Sequence, residues 1–231
     1  MLNFNKHIKL FYTLITLFTN IPLSIARSFF LLLGAGLLVT IPVFLQAPLV
    51  RAYPWLSLVL TVGWFSLSRQ WRQPWGSLLW GFALTWCCGS IYWGWYRFEP
   101  LWHLPMEALA LPLALWGLGQ RSYRVGSCFY LGSLWGTIVT DLYIWFTGLL
   151  PSWRALVDLE PDRVTAHLYP ILLHLQNPWG LGLGVMLALS LVWLATTVLV
   201  KPTPDRWVFA GAVLFTLVTD SLFGAGLFLL S

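Results

Sequence analysis

Stretches of roughly twenty consecutive apolar residues recur along this chain, and each matches the ~30 Å hydrocarbon core of a bilayer at 1.5 Å rise per residue. Seven can be drawn in the 231 residues, at about 28–48, 53–68, 75–96, 101–119, 125–150, 179–200 and 207–230. Inside a bilayer every backbone N–H and C=O must find its partner within the structure, which leaves helices or a closed barrel. Runs this long belong to helices. The chain is therefore predicted to be all-α, a polytopic transmembrane helical bundle of about seven spans. The run at 53–68 is the shortest, bounded by Arg51 and by Ser68 and Arg69, and is expected to tilt little, thin the bilayer or be re-entrant. Composition excludes a soluble domain: only 9% of residues are charged, against about a quarter in globular proteins.

Basic residues orient the spans, because short cytoplasmic loops collect Lys and Arg. Lys6, Lys9, Arg27, Arg69, Arg72, Arg121, Arg124, Lys201 and Arg206 fall on one side of a seven-span alternation. The other side holds Arg51, Arg97, Arg154 and Arg163, the last two beside Asp158, Glu160 and Asp162. Nine against four puts the N-terminus in the cytoplasm. The net charge of +5 is thus read as orientation, and no basic stripe suggests a nucleic-acid partner. Cys87, Cys88 and Cys128 lie in apolar runs without metal-ligand spacing and read as packing residues.

Residues 1–27 admit two readings. Lys6 and Lys9, an apolar stretch from Leu10 to Phe18 and the Ser24-Ile25-Ala26 site have the order of a signal peptide. Thr13, Thr16, Thr19, Asn20 and Pro22 dilute that stretch, which favours a cytoplasmic interfacial amphipathic segment. Residues 28–231 then form a single transmembrane domain. Its hydrophilic stretch at 151–178 carries His167 and His174 and an apolar periodicity at Val164, Leu168, Ile171, Leu172 and Leu175, as in an amphipathic helix on the outer face bent at Pro170. Ten of the sixteen tryptophans fall near span ends, as interfacial rings do. Trp80, Trp86, Trp135, Trp145 and Trp193 fall inside spans and are expected to pack between helices.

Three acids are predicted inside spans: Glu107, Asp141 and Asp220. A charge at membrane depth costs about 3 kcal/mol on insertion scales, so such groups face the bundle interior and mark a pathway or a paired site. Counting from the outer face at 1.5 Å per residue places Glu107 ~9 Å deep and the two aspartates ~14–15 Å deep. His103 precedes Glu107 by four residues on the same helical face, with Arg97 and Glu99 at the mouth above. The expectation is an outward-opening acidic pocket. Thr137-Ile138-Val139-Thr140-Asp141 recurs as Thr216-Leu217-Val218-Thr219-Asp220, with Gly132 aligned to Gly211. In each copy the first threonine sits one turn from the aspartate, so Thr137 and Thr216 are the expected supporting hydroxyls. The plainer alternative stays open: each acid hydrogen-bonds a neighbouring helix and locks the bundle. Oxygen ligands of this kind suit a proton or a hard cation, and no spacing suggests a resident metal or names a cofactor.

Pro105 and Pro112 predict a kink in the fourth span, and Gly132-x-x-x-Gly136 and Gly180-x-x-x-Gly184 predict close helix contacts. Phosphate loops, nucleophile elbows and zinc-protease helices are absent from the sequence. The stretches Trp86-Cys87-Cys88-Gly89-Ser90-Ile91-Tyr92-Trp93-Gly94-Trp95 and Glu99-Pro100-Leu101-Trp102-His103-Leu104-Pro105-Met106-Glu107-Ala108 resemble an uncharacterised family of cyanobacterial polytopic integral membrane proteins, a domain of unknown function. The resemblance covers most of the chain beyond the N-terminal segment. It implies a cyanobacterial plasma or thylakoid membrane and carries no activity or catalytic residue with it. Three functions follow as expectations. The first is a small transporter or ion/proton-coupled permease component built on the acids. The alternative is a non-catalytic assembly or accessory factor that meets a membrane-protein partner or a pigment through its helix faces. The third, an intramembrane enzyme with His103 and Glu107 as an acid/base pair, lacks a nucleophile.

Overall fold

The computed structural model describes residues 23–157, 171 and 176–230, and every regular element among them is helical. Helix α1 (Leu23–Ile41) passes through a π-helical stretch, Pro42–Gln46, into α2 (Ala47–Ala52). Then come α3 (Pro54–Gln70), α4 (Trp75–Ile91) with a second π-helical stretch at Tyr92–Tyr96, α5 (His103–Glu107), α6 (Leu111–Gly119), α7 (Arg124–Phe146), α8 (Leu150–Val157), α9 (Pro178–Leu199) and α10 (Pro204–Leu230). Helix α1 starts at Leu23, so residues 23–27 are helical and continuous with the first apolar run. Residues 1–22 lie outside the described residues, as do His167, His174 and most of the acidic stretch around them.

Among the described residues, four helical stretches are long and apolar enough to cross a membrane: Ile25–Ala52, Pro100–Gly119, Pro178–Leu199 and Pro204–Ala225. The outside of the bundle is apolar to match. Phe30, Val59, Val62, Leu189 and Trp193 are each more than 60% exposed, the inverse of a soluble protein, and this marks a membrane protein. Of the other expected spans, α3 and α4 have 17 residues each. Helix α7 has 23 residues and more polar side chains, including Ser127, Thr137, Thr140 and Asp141. That polarity follows from its position, because α7 contributes to all three apolar clusters of the core and touches protein on most of its surface.

Contacts fix how the helices run. Gly34 lies against Trp75 and Gly89 against Gln46, so α1–α2 and α4 are parallel. Gly132 meets Phe209, Gly136 meets Thr216 and Thr140 meets Asp220, so α7 and α10 are parallel too. Ser57 pairs with Ser90 while Ser68 faces Gly76, which makes α3 antiparallel to α4. By the same reasoning α5–α6 and α9 are antiparallel to α7, through His103–Asp141 with Gly117–Ser127, and through Trp179–Phe146 with Gly184–Tyr143. Direction thus alternates along the chain.

Association of helices in lipid gains little from burying apolar surface, since lipid tails are as apolar as leucine, and rests on close packing and interhelical hydrogen bonds. Both are present. Gly81 and Gly126 bring the α4 and α7 backbones together, and the Gly126 amide donates to Ser77 Oγ at 3.0 Å. Gly132 and Gly136 seat α7 on α10, and Gly211 seats α10 on Leu32 of α1. Each π-helical stretch turns a polar side chain inward. Pro42 has no N–H and its ring crowds the preceding turn, and the ladder widens until the Ala47 amide bonds the Pro42 carbonyl. Gln46, 3% exposed, then donates to the Trp86 carbonyl at 2.6 Å and to Ser90 Oγ at 2.9 Å, while the Trp86 indole donates to the Ser57 carbonyl.

Candidate functional site

The polar centre of the bundle is set by a broken helix. Between α5 and α6 the helical pattern fails at residues 108–110, as the Pro105 and Pro112 signal predicts. The Leu111 amide bonds the Ala108 carbonyl rather than that of Glu107. The carbonyl so freed accepts the Tyr130 hydroxyl from α7 at 2.5 Å. Tyr130→Phe removes that donor and is expected to lower stability by about 1–2 kcal/mol, the cost of an unsatisfied buried carbonyl. Thermal melting in detergent measures it, and an unchanged midpoint would mean that water already serves that carbonyl.

The break aims His103 at α7. Its Nδ1 stands 2.8 Å from Oδ1 of Asp141, and the imidazole donates when the carboxylate is ionised. The Asp141 side chain is 4% exposed. Its second oxygen, Oδ2, is buried and bonds nothing among the described residues. The Tyr92 ring, turned inward by the second π-helical stretch, packs on His103 at 4.5 Å between centroids. The Tyr92 hydroxyl and the Trp153 indole N–H are both buried without a partner among the described residues. Glu107, half-buried one turn below His103, lies within electrostatic reach of both His103 and Asp141. Buried acceptors and donors thus converge with unused capacity, which suits a proton, a water or a small polar solute. No group of three His, Cys, Asp or Glu among the described residues is placed to hold a metal ion.

The two residues expected at the mouth, Arg97 and Glu99, are both engaged. Arg97 turns back onto the preceding turn. Its guanidinium donates to the carbonyls of Trp93 and Gly94 and covers the Phe98 ring at 4.2 Å, closing the end of the π-helical stretch. Glu99 binds Arg154 of α8 through both oxygens, at 2.8 and 3.1 Å, and accepts the Leu101 amide. The Arg154 guanidinium, followed by that amide, holds the Glu99 carboxyl below the usual carboxylate range. This pair ties the loop before α5 to α8 directly above the centre.

Asp220 stands apart. It lies on the exposed side of α10 and accepts the Thr140 hydroxyl at 2.8 Å. Thr140 and Asp141 are adjacent on α7 and so point about 100° apart. One therefore faces α10 and the other α5. The two copies of the repeat lie parallel and side by side, and among the described residues the hydroxyl that bonds one of these aspartates is that of Thr140. Thr137 donates to the Ser133 carbonyl and Thr216 to the Ala212 carbonyl, each within its own helix. Thr216 instead fills the space left by Gly136, and Thr219 bonds Thr40 of α1 at 3.2 Å. Sequence reasoning missed Tyr92, Thr140, Trp153 and the Gln46 network. Thr140 lay inside the repeat and Pro42 beside Gln46, but which helix each faces is a tertiary fact.

The three cysteines are free, with Cys88 buried between α4 and α6. The chain belongs to the family described as Protein of unknown function (DUF3120), whose profile matches residues 35–227. No curated protein and no solved structure matches it.

Proposed function

We propose that the chain is a seven-span membrane protein with a cytoplasmic N-terminus, in which His103, Asp141 and Glu107 form the protonation site of a small transporter or ion/proton-coupled permease component. The observation that carries this reading is the buried Asp141 carboxylate, with one oxygen on His103 and the other uncommitted. A carboxylate at membrane depth is costly unless it works or is fully paired, and this one is half paired. The alternating helix directions support the topology, as do the end contacts. Arg27 reaches the Gln73 carbonyl at the end rich in arginine, and Glu99 reaches Arg154 at the other. Beneath the centre, Leu84, Ala110, Ala114, Tyr130 and Leu134 pack tightly, which suits a pocket closed toward the inside. The family resemblance of the sequence sets the expected location, a cyanobacterial plasma or thylakoid membrane.

The test is proton flux into liposomes containing the purified chain and a trapped pH dye, driven by an imposed pH gradient. Asp141→Asn is expected to abolish the flux, while Asp220→Asn, at a separate and exposed position, retains most of it. Wild-type flux in a folded Asp141→Asn protein would sink the proposal. The second reading, a non-catalytic accessory protein, is favoured by Trp135 and Trp193, which are exposed near the middle of α7 and well inside α9 rather than at the interfaces where tryptophan normally sits. A bound pigment or partner recovered in mild detergent, together with failure of the flux assay, would shift the balance to it.

A further inference from the structure

At the opposite end of the bundle from the His103–Asp141 centre, a depression of ≈ 270 Å³ opens between the α3–α4 turn and the start of α7. Arg69, Gln73, Trp80, Ser122 and Tyr123 line it. The Trp80 and Tyr123 rings, 4.9 Å apart, form one wall. Arg69 is exposed and makes no ion pair among the described residues, and neither do Arg72 in the same turn and Arg121 beside Ser122. No acid precedes Glu99 in the sequence, and none lies between Glu107 and Asp141. Asp205 stands at this end of the bundle, near Cys128, but does not line the depression. The positive charge here is therefore uncompensated.

Orientation alone asks only that arginines lie on this side of the membrane, anywhere in the loops. It does not ask for a concave site that gathers a guanidinium, an amide, hydroxyls and aromatic rings. Ser68, also in the lining, has spent its hydroxyl on the Phe65 carbonyl at 2.7 Å. The side chains of Gln73, Ser122 and Tyr123 hold no hydrogen bond among the described residues and are free to donate. A planar guanidinium with neighbouring O–H and N–H donors matches the oxygens of a phosphate group. Trp71, 49% exposed at the rim, has the placement of an interfacial ring, which puts the opening at headgroup level.

We propose that this depression binds a phosphate group, that of an anionic phospholipid in the adjoining leaflet, with Arg69 as its anchor. The site is independent of the His103–Asp141 centre and goes beyond the transport reading, so either can fail alone. The experiment uses the full-length protein in detergent, with native mass spectrometry for lipid retention and thermal melting for stabilisation. The probes are phosphatidylglycerol, phosphatidylcholine and inorganic phosphate. Wild type is expected to retain phosphatidylglycerol over phosphatidylcholine, and Arg69→Gln to weaken that retention about tenfold, the worth of one charge-assisted contact. Arg121→Gln removes the same charge outside the lining and is expected to change retention by less than about twofold. Both variants alter exposed side chains, and unchanged melting without added lipid will show that they fold. Stabilisation by inorganic phosphate alone, lost in Arg69→Gln, would support the phosphate site with a soluble anion as its ligand. Equal losses in Arg69→Gln and Arg121→Gln, or no loss in Arg69→Gln with any probe, would overturn it.

Discussion

Replacing His103 by alanine is expected to destabilise the bundle by about 2–3 kcal/mol, more than Asp141→Asn does. The asymmetry has a physical origin. His103 is the sole hydrogen-bond partner that the described residues offer Asp141, whose other oxygen is already unsatisfied. Without it, the Asp141 carboxyl is left in an apolar interior with no partner among the described residues. The Asp141→Asn side chain keeps the shape and carries no charge, and His103, with 22% of its side chain exposed, can remain a neutral imidazole. Interhelical hydrogen bonds in membranes average about 0.6 kcal/mol, so most of the His103→Ala cost would come from the unpaired carboxylate rather than from the lost bond. The double variant His103→Ala/Asp141→Asn is therefore expected to cost about 1–2 kcal/mol less than the sum of the singles. Thermal melting of the four proteins in one detergent measures this coupling. Strict additivity would mean that the two side chains do not depend on one another.

Gly126→Val is expected to cost about 3 kcal/mol or more, or to prevent accumulation altogether. A Cβ at residue 126 would fall on the Ser77 carbonyl, and one at residue 81 would fall on the Gly126 carbonyl. These neighbours are backbone on both sides, so no rotamer change relieves the overlap and α4 must move away from α7. Separation would also break the Gly126–Ser77 hydrogen bond. The control is Gly63→Ala on α3, where a new Cβ meets nothing within 4 Å. There the better helix propensity of alanine is expected to leave stability unchanged or raise it by about 0.5 kcal/mol. If Gly126→Val melts with the Gly63→Ala protein, the backbone crossing is not what holds α4 to α7.

Much of the fold is legible in the sequence because a bilayer imposes length and polarity on every segment. The apolar runs coincide with α1–α2, α3, α4, α5–α6, α7, α9 and α10 to within a few residues at most ends. The exceptions have particular causes. The fourth run is interrupted because Pro112 has no amide to offer and Pro105 crowds the turn before it. Pro42 converts part of the first run into a π-helical stretch. Helix α7 looks marginal by hydropathy because most of its surface packs against other helices, where serines and threonines need not meet lipid.

The candidate site was legible in its members and not in its connections. Sequence spacing puts His103 and Glu107 on one face, and the repeat puts Asp141 and Asp220 on parallel helices, and both features are present. Depth along a helix follows from counting residues at 1.5 Å each, which needs no neighbours. Direction around a helix is different, since a step of one residue turns the side chain by about 100° and only the packing says what lies there. That step gives Asp141 to His103 and leaves Thr140 for Asp220. By itself the sequence determined a helical membrane protein and where along the chain its apolar helices fall. The tertiary structure alone decided that those acids form one buried centre and one separate surface pair, because pairing depends on which face of α7 each neighbouring helix covers.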